Sequence, residues 1–389
     1  MTPSARVQAA IELLDLVIEA ARTEGAAADS LISSYFRTRR YAGSGDRRAV
    51  RELVYRAIRR SGEPPASGRA AMLGLADDDP ALLPLFGGGP HAPAPAAPEE
   101  ERATRSFAPA WLAETIGHAE LPALLERAPL DLRVNRLKGM REESLRLLPE
   151  ASPTPHSPLG LRLPDGFRVE DHEAWRSGLV EVQDEGSQLL ALACGVGPGM
   201  VVVDLCAGAG GKTLALAAEM GDRGRILAAD TDRGRLSRMR PRLERAGVSI
   251  VEPLLLDPGR EREALADLAG AADLVLVDAP CSGTGTWRRN PETRWRLTPE
   301  RLERLIAVQA RLLDIAATLV RPGGAMVYGV CSLLAEEGPG QAAAFSSRSS
   351  MVPETVPIEA GRAAGSGRIV SPAHDGTDGF FVARWRAPC

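Results

Sequence analysis

The sequence predicts an α/β chain whose C-terminal half is doubly wound, preceded by a small α/β module and an all-helical N-terminal block. Short unbroken apolar runs alternate with amphipathic stretches from Val201 onward, which is the pattern of a parallel sheet covered on both faces. A helical apolar repeat fills the first sixty residues, and a Gly/Pro/Ala-rich stretch after Phe86 separates the two textures. With 389 residues, 44% of them hydrophobic, the chain is long enough to bury several cores.

In the N-terminal block, Val7, Ala10, Ile11, Leu14, Val17, Ile18 and Ala21 recur at helical spacing. Further helices are expected from about Ser30 to Phe36 and from Asp46 to Gly62. Acidic residues Glu12, Asp15 and Glu19 interrupt the first apolar pattern, so it reads as an amphipathic helix and not as a signal peptide. No apolar run reaches the roughly 18 residues that a membrane span needs, and no membrane partner is expected. Arg37, Arg39, Arg40, Arg47, Arg48, Arg51, Arg56, Arg59 and Arg60 suit either a solvated face or contact with phosphates. The net charge of −4 argues mildly against a nucleic-acid partner, but a sum says little about where charges sit.

The boundaries expected from these textures are a helical domain over 1–87, a Pro/Ala/Glu-rich linker over 88–106, a small α/β module over 107–178 and the doubly wound domain over 179–389. The five cysteines, Cys194, Cys206, Cys281, Cys331 and Cys389, are scattered without CxxC spacing. Reduced thiols in a cytoplasm fit, and no metal is expected. Only two lysines occur, Lys138 and Lys212, among 47 basic residues.

The first strand of the doubly wound domain ends at Asp204 and runs into Cys206-Ala207-Gly208-Ala209-Gly210-Gly211-Lys212-Thr213 before a helix. Such a turn brings backbone close to a ligand at a helix N-terminus. The phosphate-loop spacing fails because its first glycine position is Cys206, and the dinucleotide spacing fails at Thr213. Asp230, Asp257 and Asp278 follow at the ends of the next apolar runs, so four carboxylates including Asp204 are expected around one crevice. This layout suits S-adenosyl-L-methionine, which carries a sulfonium and an amino group and no phosphate.

Cys281, in Asp278-Ala279-Pro280-Cys281, and Cys331 end two apolar runs beside that crevice. Carbon 5 of a pyrimidine is a poor nucleophile until a thiolate adds to carbon 6, an acid supports the adduct at N3, and a base removes the C5 proton. A thiol, an acid and a methyl donor together therefore predict methylation of cytosine or uracil at C5. On chemistry alone either cysteine can be the nucleophile. Alternation of Trp287 and Trp295 with Arg288, Arg289, Arg294 and Arg296 predicts a wall of an RNA channel for the following loop.

The segments "VQDEGSQLLAL", "CAGAGGKT", "DAPCSGTGTWRRNPETRWRLTPE", "CSLLAEEG" and "HDGTDGFF" together resemble the RsmB/NOP/Sun family of RNA (cytosine-5)-methyltransferases, over roughly Leu130 to the C-terminus. The helical block resembles, more weakly, the NusB-like RNA-binding domain of the bacterial RsmB branch. The resemblance implies a Rossmann-like S-adenosylmethionine-dependent methyltransferase domain acting on RNA, with ribosomal RNA expected from the NusB-like appendage. It implies Cys331 as nucleophile and Cys281 as the thiol that assists product release. It also implies cofactor contacts from residues 206–212, Asp230, Asp257 and Asp278, with Lys212 paired to crevice carboxylates such as Asp278 and a single-stranded or loop target. The family usually has Ala-Thr before the nucleophile and Pro-Glu-Glu-Asn after it. This chain has Gly329-Val330 before and Ala335-Glu336-Glu337-Gly338 after, so its hold on the loop is expected to differ. Rival readings are a tRNA- or DNA-directed enzyme of the same chemistry and an RNA-binding assembly factor without turnover.

Overall fold

The computed structural model describes residues 1–23 and 25–389. It comprises two compact units, Met1–Arg127 with Thr286–Pro299, and Ala128–Gly285 with Glu300–Cys389. Among the described residues no helix is long and apolar enough to cross a membrane, and no cluster of three His, Cys, Asp or Glu side chains is placed to hold a metal.

The first unit is built on α1 (Pro3–Arg22), α2 (Ala28–Arg37), α3 (Ser44–Arg60) and α4 (Gly68–Asp78). Thr2 caps α1 by accepting from the Ala5 N–H, with Pro3 in the first turn where its missing donor costs nothing. The predicted stripe of α1 is buried, and Ala9, Leu13 and Ala20 are buried beside it because α3 and α4 both pack on this helix. Gly68 permits that approach. A Cβ there would lie 2.1 Å from the Ile11 carbonyl oxygen.

The helical unit runs past the expected boundary at residue 87. Arg69 pairs with Glu100 and donates to the Ala94 and Pro95 carbonyls, and the Ala103 N–H donates to the Ala70 carbonyl, so residues 88–106 lie along the bundle. An Ala/Pro segment has no periodicity to reveal this. Its carbonyls still need donors, and an arginine supplies them.

The segment Thr286–Pro299 also belongs to this unit, which corrects the expected RNA-channel wall. Trp287, Arg288, Arg294 and Trp295 are buried and do not offer faces to a base. Trp295 joins the helical core and donates its Nε1–H to the Ser61 carbonyl at 2.7 Å. Arg294 donates to the carbonyls of Phe107 and Ile58, Arg296 to those of Gly25 and Ala26, and Glu292 accepts from the Ala28 N–H at the start of α2. Guanidinium forks meet carbonyls at helix ends as readily as they meet phosphates.

The second unit opens with β1 (Leu130–Val134), β2 (Ser152–Pro153), β3 (Gly160–Leu163) and β4 (Val180–Val182), an antiparallel sheet in the order β2-β3-β1-β4. Helix α5 (Glu185–Leu192) leads to β5 (Val201–Asp204), α6 (Gly211–Glu219), β6 (Arg225–Asp230), α7 (Arg233–Ala246), β7 (Val251–Leu255) and β8 (Ala272–Asp278). Then come α8 (Pro299–Leu319), β9 (Val320–Val330), α9 (Pro339–Arg348), β10 (Val352–Glu354), β11 (Arg362–Ala364), β12 (Gly367–Val370) and β13 (Phe380–Arg386). The large sheet has the order β11-β12-β13-β9-β8-β5-β6-β7, with β10 on β13. Its β7-β6-β5-β8-β9 part is parallel, and β13 returns antiparallel to β9. The chain winds outward from β5 through β6 to β7 and then restarts at β8 on the other side. The switch in direction therefore opens a crevice at the carboxyl ends of β5 and β8.

Replacing Arg294 by Ala strands the buried Ile58 carbonyl and frees that of Phe107, and is expected to lower the unfolding free energy of the helical unit by about 2–4 kcal/mol, and Trp295→Phe, which loses one donor, by about 1 kcal/mol. Denaturant unfolding followed by circular dichroism measures both.

Candidate active site

At the carboxyl end of β5 the chain turns through Cys206–Gly210 into α6. Gly208 (φ +57°) and Gly210 (φ +82°) take left-handed conformations that a Cβ would strain. The Gly208 N–H donates to Asp230 Oδ2 at 2.8 Å and the Asp232 N–H to Oδ1 at 2.7 Å, so the carboxylate ending β6 is fixed from two sides. The Ala207 N–H reaches the Ala229 carbonyl and Arg242 grips the Ala209 carbonyl, so the turn is held rigid before any ligand arrives. Gly210, Gly211 and Lys212 lie at the N-terminus of α6, where backbone N–H groups lack helical partners.

The expectation of four carboxylates around one crevice is corrected at Asp204. It is 1% exposed and accepts from the Thr213 hydroxyl at 2.7 Å, so it holds the helix start to the strand end. Burial, helped by the charge of Asp278 and opposed by the Thr213 bond, pushes its carboxyl up to about 7. Asp257 is exposed beyond β7. Asp278, ending β8, pairs with Lys212 Nζ at 2.7 Å, as the sequence reading expected of the lysine. Burial works against the Lys212 ammonium, yet Asp278, Cys331 and Asp204 outweigh it and hold its pKa above the ordinary value. Its Nζ also lies 5.2 Å from the centroid of the Phe380 ring, a cation–π contact.

Cys281 and Cys331 are brought together by strand register. In the parallel pair β8 and β9, Asp278 is opposite Gly329, and the Ala279 N–H continues the ladder to the Gly329 carbonyl. Both chains then turn in step, and the two sulfurs stand 3.3 Å apart. The hydrogen bond to Cys331, burial and nearby negative charge push the Cys281 thiol well up. The Cys206 thiol, buried among Asp278, Asp204 and Asp230, is raised as well. Raised thiols of this kind are poor spontaneous nucleophiles and good proton holders.

Residues 193–386 match the family described as 16S rRNA methyltransferase RsmB/F. The probable ribosomal RNA small subunit methyltransferase B of Synechocystis is 34% identical over 299 residues, covering 71% of this chain and 66% of that protein. This chain thus spans just under two thirds of that relative's length. The ribosomal RNA small subunit methyltransferase B of Sodalis glossinidius is 33% identical over 307 residues, covering 75% of this chain and 68% of that one. The chain belongs to the RsmB/F family. The crystal structure of PH0851 matches this RsmB/F chain with a TM-score of 0.76 at 25% identity, over 99% of both chains.

Within this RsmB/F chain the sequence reading missed a buried polar network behind the cysteines. Ser282 and Ser332, the residues after each cysteine, share a hydrogen bond at 3.1 Å, and Thr284 bonds to Ser332 and accepts from the Leu333 N–H. Glu337 and Gln309 complete the network. A signal was present for Gln309, which sits on the buried stripe of α8 with Leu302, Leu312, Leu313 and Ala316. The motif "VQDEGSQ" proves to be bracing: Asp184 accepts from the Gly186 and Asp378 N–H groups, while buried Glu185 accepts from the N–H groups of His156 and Ser157.

The folded-state pKa of Asp204 lies above that of an unfolded aspartate, so the native protein holds the extra proton between about pH 4 and 7. Stability is fully present below this window and is lost as pH rises through it. Relative to Asp204→Asn, the wild type is expected to lose up to about 1.4 kcal/mol per pH unit across the window and no more above it. Denaturant unfolding of both proteins from pH 4 to 8 measures the difference.

Proposed function

We propose that this chain methylates carbon 5 of cytosine in RNA, with small-subunit ribosomal RNA as substrate and S-adenosyl-L-methionine as methyl donor, in the cytoplasm. The observation that carries the reading is the pair of sulfurs 3.3 Å apart beside the crevice of Lys212 and Asp278. The names of the relatives, ribosomal RNA small subunit methyltransferase B, support the substrate class.

The residues present fit the donor. The turn from Cys206 to Lys212 offers close backbone and no phosphate-loop spacing, and Asp230, Asp257 and Asp278 offer carboxylates to ribose hydroxyls, an amino group and a positive sulfonium. When bound, S-adenosylmethionine would supply an electrophilic methyl group to carbon 5, its sulfur keeping the bonding pair and leaving as a neutral thioether. Cys331, as thiolate, adds to carbon 6 of the cytosine, and Asp278 holds a proton at N3, which turns the ring into an enamine nucleophilic at carbon 5. Lys212 holds Asp278 in place and offsets its charge while no base is bound. Loss of the C5 proton to a base then returns the bonding pair of the C6–S bond to Cys331, with Cys281 assisting release. A base in a duplex does not reach a sulfur in such a crevice, so an unpaired or extruded nucleotide is the target. The arginine-bearing helical unit is the remaining RNA-binding element in this reading.

Radiolabelled methyl transfer to cytosine-containing ribosomal RNA tests the proposal. Cys331→Ala is expected to abolish both transfer and covalent adduct, and Cys281→Ala to trap enzyme on RNA as an adduct that denaturing gels retain. Binding of RNA with no methyl incorporated would make the chain an assembly factor. Transfer to tRNA or DNA alone would change the substrate, and adduct lost only on changing Cys281 would exchange the roles of the cysteines.

A further inference from the structure

Glu337 has no place in the chemistry above, yet its side chain is 0% exposed. Leaving an ionised carboxylate in a protein interior costs several kcal/mol unless donors surround it. Among the described residues no basic side chain pairs with Glu337, and its donors are all neutral. Oε1 accepts from the Ser282 N–H at 2.8 Å and from Gln309 Nε2 at 2.9 Å, and Oε2 accepts from the Ser282 hydroxyl at 2.5 Å. Gln309 Nε2 also donates to the Pro280 carbonyl at 2.9 Å. The residue after Cys281 is thus tied to the carboxylate directly, and the residue before it through Gln309. That carboxylate is anchored in turn, since the Glu337 carbonyl accepts from the Tyr328 hydroxyl at 2.7 Å on β9, the strand that delivers Cys331.

We infer that Glu337 is a positioning residue for Cys281, clamping the Pro280–Ser282 loop so that the Cys281 sulfur stays against Cys331. This rests on the methyltransfer reading for its kinetic consequence but not for its geometry. The bonds of the carboxylate itself run to Ser282 and to Gln309, which holds Pro280, so the step it serves is the one assigned to Cys281, release of the methylated product. The fixed charge acts in the same direction, since negative charge on Glu337 adds to the hydrogen bond and the burial that keep the Cys281 proton in place.

Glu337→Gln keeps the shape but removes the charge, and with its oxygen toward the Ser282 N–H and Gln309 its NH2 meets the Ser282 hydroxyl, which must then accept where it now donates. The variant is expected to lower kcat at least tenfold with KM for RNA and donor unchanged, and to accumulate RNA adduct as Cys281→Ala does. Combined with Cys281→Ala it is expected to cost nothing further. Ser282→Ala, which removes the hydroxyl and keeps the N–H, is expected to give a smaller effect of the same kind and serves if Glu337→Gln fails to fold. A separate readout needs no methyl transfer: a small disulfide oxidant is expected to cross-link Cys281 to Cys331 in the wild type and to do so about tenfold more slowly in Glu337→Gln. Cross-linking at the wild-type rate, or equal loss of kcat with and without Cys281, overturns the clamp. If the wild type forms no adduct and transfers no methyl group, the proposed reaction falls, and the cross-linking rates alone judge the clamp.

Discussion

The site depends on the parallel pairing of β8 with β9. Two cysteines fifty positions apart become neighbours because Asp278 and Gly329 are opposite each other and the ladder continues one bond further, from the Ala279 N–H to the Gly329 carbonyl. A slip of one residue would turn every side chain of one strand to the other face, moving Val275, Val277, Met326 or Tyr328 into the opposite core, which is packed around Leu274, Leu276, Ala325 and Val327. Apolar burial on both faces of the sheet therefore fixes the distance between the sulfurs. A loop-built pair would have no comparable constraint.

Around that pair, opposite charges are treated in different ways. Lys212 and Asp278 meet directly at the rim, where the pairing offsets the burial of the ammonium and the partly exposed carboxylate is still within reach of a ligand. Deeper in, Glu337 is satisfied by amide, hydroxyl and backbone donors alone, and Asp204 by a single hydroxyl. The contrast follows from donor count. Glu337 has three neutral donors, whereas Asp204 has one, too few to offset the burial that raises its carboxyl. The deep carboxylates hold loops in place, and the rim pair is left for chemistry.

Much of this was legible before any coordinate. Short unbroken apolar runs alternating with amphipathic stretches gave the doubly wound sheet, glycines at Gly208 and Gly210 gave the turn, and the Asp and Cys residues at run ends gave the crevice, because strand ends are where a parallel sheet exposes side chains to a ligand. The illegible parts share a physical cause. Guanidinium and indole donors serve phosphates, bases and orphan carbonyls with the same geometry, so the Trp287–Arg296 segment read as an RNA surface although Arg294 and Trp295 bond the Ile58 and Ser61 carbonyls at the end of α3. The Ala/Pro stretch at 88–106 carried no period to announce that its carbonyls are gripped by Arg69. Ser282, Ser332, Gln309 and Glu337 are ordinary residue types whose meaning lies in convergence from three separate elements, and a linear reading does not contain that convergence.

The same network bears on the departures from the family's usual loop. Without the Thr hydroxyl before Cys331 or the Asn amide after the two glutamates, the sequence predicts a loop that is held differently. The neighbours instead occupy the freed space. A Cβ on Gly329 would lie 2.4 Å from the Leu190 side chain, and one on Gly338 would lie 3.0 Å from the Phe381 ring, so larger residues here would displace packing already in place. Val330 is wholly buried in the sheet core, where a hydroxyl would need a partner. The loop therefore has apolar contact at Leu190 and Phe381, and its polar hold lies in the Ser282–Ser332–Glu337 cluster. Placement of the Cys331 sulfur then rests on register and packing, and the hydrogen bonds of the clamp remain free to fix its partner.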